Sequence, residues 1–134
     1  MKAITLTQPW ATLVAIGAKQ YETRSWGTSY RGPLAIHAAK GFPKWAQDLA
    51  HVEASFHETM QGISLPRGVV IAICRLAACR QILEGMDPLW PSVREREFGD
   101  WTLGRYFWQL VDITALPRPI PAKGALGLWE WTRS

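Results

Sequence analysis

At 134 residues the chain has the length of one domain, and its 48% apolar, 19% charged composition excludes a disordered tail. No apolar run approaches the ~20 residues that a membrane-spanning helix needs. The net charge of +4 is unevenly placed: residues 1–45 hold six Lys/Arg against one acid, the middle is slightly acidic, and the last third is again basic. If the two ends meet in the fold they form one basic face, which suits a polyanion such as nucleic acid.

Met1-Lys2-Ala3-Ile4-Thr5 leads into polar Gln8 and Pro9 rather than a leader's apolar stretch, so a cytoplasmic protein with a single domain over 1–134 is expected. Lys2–Leu6 reads as a strand. Thr7 is placed to cap a short helix from Gln8 to Ile16, with Pro9 in its first turn and Gly17 as its stop. From Gln20 the chain reads as a strand, with Gln20, Glu22, Arg24 and Trp26 on one face and Tyr21, Thr23 and Ser25 on the other. After a turn at Gly27–Pro33, Leu34–Lys40 is another strand.

Pro43 opens an amphipathic helix whose stripe of Trp45, Leu49, Val52, Phe56 and Met60 is expected to face the core. Val69–Ala78, nearly all apolar, reads as a strand buried on both sides. Residues from about Ile82 to Trp101 read as loop and short helix. Tyr106–Ile113 is a strand, and Leu116–Pro121, with prolines at 117, 119 and 121, reads as an extended arm outside any regular ladder. Leu128–Thr132 closes the chain as a strand with Trp129 and Trp131 on one face. Five or six short strands with two to three helices and no βαβ regularity make an α+β domain, most simply a small mixed β-barrel.

Cys74 and Cys79 sit five apart on a strand, point to opposite faces and cannot pair; no Cys/His cluster marks a metal site. His51 and His57 do not form a chelating pair, and a lone strand histidine such as His37 reads as a satisfied structural residue. The densest polar cluster is Gly17-x-Lys19-x-x-Glu22-x-Arg24, bracketed by Trp10 and Trp26. Glu22 and Arg24 share a strand face, so the carboxylate holds the guanidinium ready for a phosphate or base edge. Trp10 and Trp26 are the rings placed to stack on an unpaired base. The alternative is a structural ion-pair network.

Three blocks carry a resemblance: Leu6-Thr7-Gln8-Pro9-Trp10-Ala11, the Gly17–Trp26 segment, and Arg31-Gly32-Pro33-Leu34-x-Ile36-x-Ala38. With Pro121-x-Lys123-Gly124-x-x-Gly127-Leu128-Trp129 near the end, they resemble the activating signal cointegrator homology (ASCH) domain. The resemblance implies a PUA-like β-barrel with a basic cleft that binds RNA. Gly17, Lys19, Glu22 and Arg24 would line that cleft, and Lys40 and Lys123 would join its cations. It also implies two enzymatic alternatives, for which Lys19 and Glu22 are the polar pair in this cleft expected to serve as catalytic residues, although the catalytic residues of the ribonuclease branch are not part of the shared motif. One is an amidohydrolase acting on acylated cytidine, against which Glu22 counts, because that branch has Thr three residues after its Lys. The other is a ribonuclease for single-stranded RNA, the one branch that would need a divalent ion such as Mg2+. The leading expectation is single-stranded nucleic-acid binding, with no membrane association.

Overall fold

The computed structural model describes residues 1–85 and 87–133, with the backbone alone at 52, 54 and 55. Its strands are β1 (Lys2–Leu6), β2 (Tyr21–Arg24), β3 (Gly32–Ala38), β4 (Val69–Gln81), β5 (Tyr106–Pro121) and β6 (Trp129–Glu130). Its helices are α1 (Trp10–Ala15), α2 (Lys44–Val52), α3 (Ala54–Met60) and α4 (Val93–Arg96). The strands form one mixed sheet in the order β2-β5-β4-β3-β1-β6. β1 runs parallel to β3, with Thr5 opposite His37, and antiparallel to β6 on its other side. The Met1 ammonium donates to the Trp131 carbonyl (3.0 Å), and Lys2 pairs with Glu130 at 2.8 Å, so the two ends of the chain do meet.

The sheet is open. β2 and β6 lie at its opposite edges, so the expected closed barrel is not what the backbone ladders make. It is nonetheless strongly curled. The β4–β5 pair carries three register shifts, at one of which Asp112 takes a left-handed φ of 52°. Such bulges bend and twist a strand pair. The curl brings the β2 edge back over β1, where Arg24 Nη2 donates to the Thr5 carbonyl at 2.8 Å. A side chain bridges the gap that a closed barrel would fill with a backbone ladder.

Strand alternation sorts the core. Ile4, Leu6, Leu34 and Ile36 pack on one face with Ala11 and Val14 of α1 and with Trp108 and Leu110 of β5. Ala3 and Ala35 face the other way, against Trp131, Leu116 and Ile120. Leu13 of α1 packs with Phe56, Met60 and Phe98, tying the helical layer to the loop before β5. α1 begins at Trp10 rather than Gln8, and Thr7 does not cap it. Gln8 does that work instead: its Oε1 accepts from Thr12 N (3.0 Å) while its Nε2 donates to the Pro66 carbonyl (2.7 Å).

The helix expected over 43–60 is two helices, broken at Glu53, whose ψ of 122° is extended. The apolar spacing runs unbroken through that point, so periodicity alone does not reveal the break. Trp45, read as core, is 62% exposed; of the same stripe, the Val52 side chain lies outside the described residues. The proline arm is also not separate: β5 runs on to Pro121 and pairs Ile120 with Val70. Prolines at every second position withdraw N–H donors from one side of a strand only. That is tolerable here because β2 covers only residues 106–109, leaving β5 with a free edge beyond them. Both cysteines are free, and burial pushes the Cys74 thiol up to about 12. Among the described residues, no helix is long and apolar enough to cross a membrane.

Candidate functional site

The Gly17–Arg24 segment folds inward. Gly17 ends α1 in a left-handed conformation (φ 81°) that an L side chain rarely adopts. The chain then turns so that Lys19 N donates to the Leu13 carbonyl at 2.9 Å and the Lys19 side chain enters the interior. Lys19 is fully buried. Its Nζ donates to the Phe98 carbonyl (3.0 Å) and lies 3.7 Å from Glu22 Oε1. Desolvation holds this amine below its ordinary value of 10.5, against the opposing pull of Glu22 and Glu95.

Glu95 anchors the same region from α4. Its Oε1 accepts from both Gln20 N and Tyr21 N at 2.9 Å, fixing the start of β2. Burial pushes its carboxyl up, while those two N–H groups and Lys19 pull it down. Glu22 Oε2 accepts from Arg24 Nε at 3.2 Å, confirming that the two share a face. Glu22 and Arg24 are 13% and 24% exposed. The segment is therefore a braced network, of which two members reach solvent and one does not.

Those two members open onto a hollow of about 730 Å³ between β1, β2, the α2–α3 break and the loop before β5. Trp10 and Trp45 wall one side, their rings 5.6 Å apart, with Phe56 edge-on to Trp10 at 5.8 Å. Glu22, Glu53, Glu97 and Asp100 line it against Arg24 and Arg105. The expected basic cleft is thus carboxylate-rich at the motif. Lys19 does not border it, sealed away by its bond to the Phe98 carbonyl, and neither does Gly17. A Lys19–Glu22 catalytic pair is not presented to this hollow. Trp26 is also elsewhere: it packs edge-on to Trp108 at 4.9 Å and accepts a hydrogen bond from it.

The cations gather around a second hollow of about 1010 Å³. Lys40 after β3, Arg67 before β4 and Lys123 after β5 line it, and among the described residues no carboxylate does. All three are exposed, and among the described residues none has an ion-pair partner. Thr5 borders both hollows. Its hydroxyl accepts from Trp129 Nε1 (3.1 Å) and meets His37 Nδ1 at 3.1 Å, while His37 Nε2 faces the Ala122 carbonyl at 2.7 Å. A carbonyl only accepts, so Nε2 carries the proton, and in the neutral ring Nδ1 accepts from Thr5. His37 is a structural clamp on the closing loop. Gly124 sits on that clamp so tightly that a Cβ would lie 2.6 Å from Thr5 Oγ1 and 2.8 Å from the His37 ring.

Sequence reasoning named Lys40 and Lys123 but missed Arg67, Trp45 and Glu53. Arg67 was recoverable only through pairing: Ala38 opposite Val69 places Lys40 and Arg67, each just outside its strand, at the same end of the β3–β4 pair. Among the described residues no three His, Cys, Asp or Glu side chains are grouped to hold a metal ion.

The family model of the ASCH domain matches residues 4–102. The chain belongs to the ASCH domain family. In fold it is similar to the crystal structure of ASCH from Zymomonas mobilis, with a TM-score of 0.57 and 17% identity over 98% of this chain and 87% of that one. A single-site mutant of the same Zymomonas mobilis protein superposes with a TM-score of 0.55 and 16% identity, covering 98% of this chain and 89% of the other. Activating signal cointegrator 1 of Mus musculus is 40% identical over 53 residues. Those residues are 40% of this chain but 9% of the mouse protein, so this ASCH domain corresponds to a small part of that relative.

Proposed function

We propose that this ASCH domain binds single-stranded RNA, with phosphates against Lys40, Arg67 and Lys123 and a base against Trp10 and Trp45. The observation that carries the reading is the second hollow: three exposed cations from three separate segments line it, with no ion-pair partner and no lining carboxylate among the described residues. Cations so placed attract a phosphate backbone without reading its sequence. Membership of a family generally regarded as RNA-binding supports the same reading. A solvent-facing indole beside this hollow's neighbour supplies a stacking surface, and stacking contributes ~1–3 kcal/mol per base.

Fluorescence anisotropy with a labelled single-stranded RNA tests it. Affinity is expected to fall steeply with salt, and a duplex of the same sequence, whose bases are not free to stack, is expected to bind more weakly. Salt-independent binding, or no binding at low salt, refutes the reading.

A further inference from the structure

The hollow beneath Trp10 and Trp45 carries the opposite charge from the one beside it. Glu22 and Asp100 are each held by a guanidinium, Arg24 at 3.2 Å and Arg105 at 3.5 Å. Among the described residues Glu53 and Glu97 have no ion-pair partner, so two carboxylates on its lining remain uncompensated. A phosphate is repelled there. A neutral base gains only stacking. A flat ring bearing positive charge gains twice, because the electron-rich faces of indoles attract cations and the free carboxylates supply the countercharge. The volume of about 730 Å³ lies within the ~300–1,000 Å³ common for small-molecule sites.

We propose that this hollow selects a nucleobase made cationic by methylation of a ring nitrogen, of the 7-methylguanine or 1-methyladenine kind. The proposal rests on the RNA-binding reading of the same face and names the base that reading leaves open. Charge is then sorted along one ligand: phosphates go to Lys40, Arg67 and Lys123, and the cationic ring goes to the carboxylates and indoles.

Free nucleosides test it, because they lack phosphate and leave the basic hollow unengaged. Titrations followed by tryptophan fluorescence compare 7-methylguanosine with guanosine and 1-methyladenosine with adenosine. Each methylated nucleoside is expected to bind at least ~10-fold tighter than its parent. The Glu53→Gln/Glu97→Gln double variant, with its fold verified by circular dichroism, is expected to lose most of that preference, and Trp45→Ala to weaken every nucleoside by about tenfold. Equal affinity for charged and neutral partners, or a preference that survives the double variant, overturns the proposal. So does competition by tetramethylammonium as effective as by the nucleosides, which assigns the hollow to an alkylammonium group instead. Failure of RNA binding with the nucleoside preference intact overturns the RNA reading alone, and the converse overturns this proposal alone.

Discussion

The two hollows that share Thr5, of about 730 and 1010 Å³, are opposite in charge. Beside one, Lys19, Glu22, Arg24 and Glu95 brace each other, fixing the start of β2 and holding its edge over β1, while Glu53 and Glu97 on its lining have no ion-pair partner among the described residues. Around the other, Lys40, Arg67 and Lys123 are exposed and have no ion-pair partner among the described residues. The segment richest in charge is therefore the one that holds the fold together, and the cations free to meet a polyanion are scattered through the chain. Density of charge in sequence and availability of charge in space are different quantities.

The largest effect that would sharpen this contrast is at Lys19. Replacing it with alanine removes a buried amine, empties its volume, leaves the Phe98 carbonyl without its donor and leaves Glu22 with Arg24 as its one ion-pair partner among the described residues. Breaking a buried pair on one side costs about 3–5 kcal/mol, so Lys19→Ala should lower the urea midpoint by that equivalent. An unchanged midpoint would mean that Lys19 is not structural, and the contrast would fail.

Next comes the triple variant Lys40→Ala/Arg67→Ala/Lys123→Ala. It should leave thermal stability nearly unchanged yet weaken single-stranded RNA binding by ~10- to 100-fold, and flatten the log–log salt slope by about 2, near 0.7 per cation. An unaltered slope would place the polyanion elsewhere.

A smaller effect is expected from Gly124→Ala, where the new Cβ meets Thr5 and His37. Forcing the closing loop off that clamp should cost about 1–3 kcal/mol and also weaken RNA binding by displacing Lys123. The loss of affinity measured on the folded fraction separates the second effect from the first.

The finest test is pH. Because burial depresses Lys19 below 10.5 in the folded state, the unfolded chain binds the extra proton across the window between the two values. Stability should rise with pH through that window and gain nothing further from this group above it. In Lys19→Met that rise should vanish, as urea midpoints from neutral pH to about 11 would reveal.

Much of this was legible in the sequence for identifiable reasons. Period two placed Glu22 and Arg24 on one face, and their 3.2 Å contact follows from it. Apolar alternation found β1 and β3, and the burial of both faces of β4 near Val70 and Ala72 follows from its continuous apolar run. What was not legible depended on partners distant in the chain. Whether Lys19 faces water is decided by Phe98, 79 residues later. Trp45 lies on an apolar stripe, yet α2 ends at the Glu53 break and leaves it exposed at the rim of the hollow. The prolines of β5 argued against a ladder because nothing local reveals that one edge of that strand is free.

The sheet order has one further consequence. β1 sits between β3 and β6, and of these two neighbours β6 is the later made. Until residues 129–131 emerge, one backbone edge of β1 has no neighbour, although β3 can already zip onto the other. A nascent chain stalled just beyond Pro121 would display that raw seam to its neighbours on the polysome, a template for misassociation that residues 129–131 abolish.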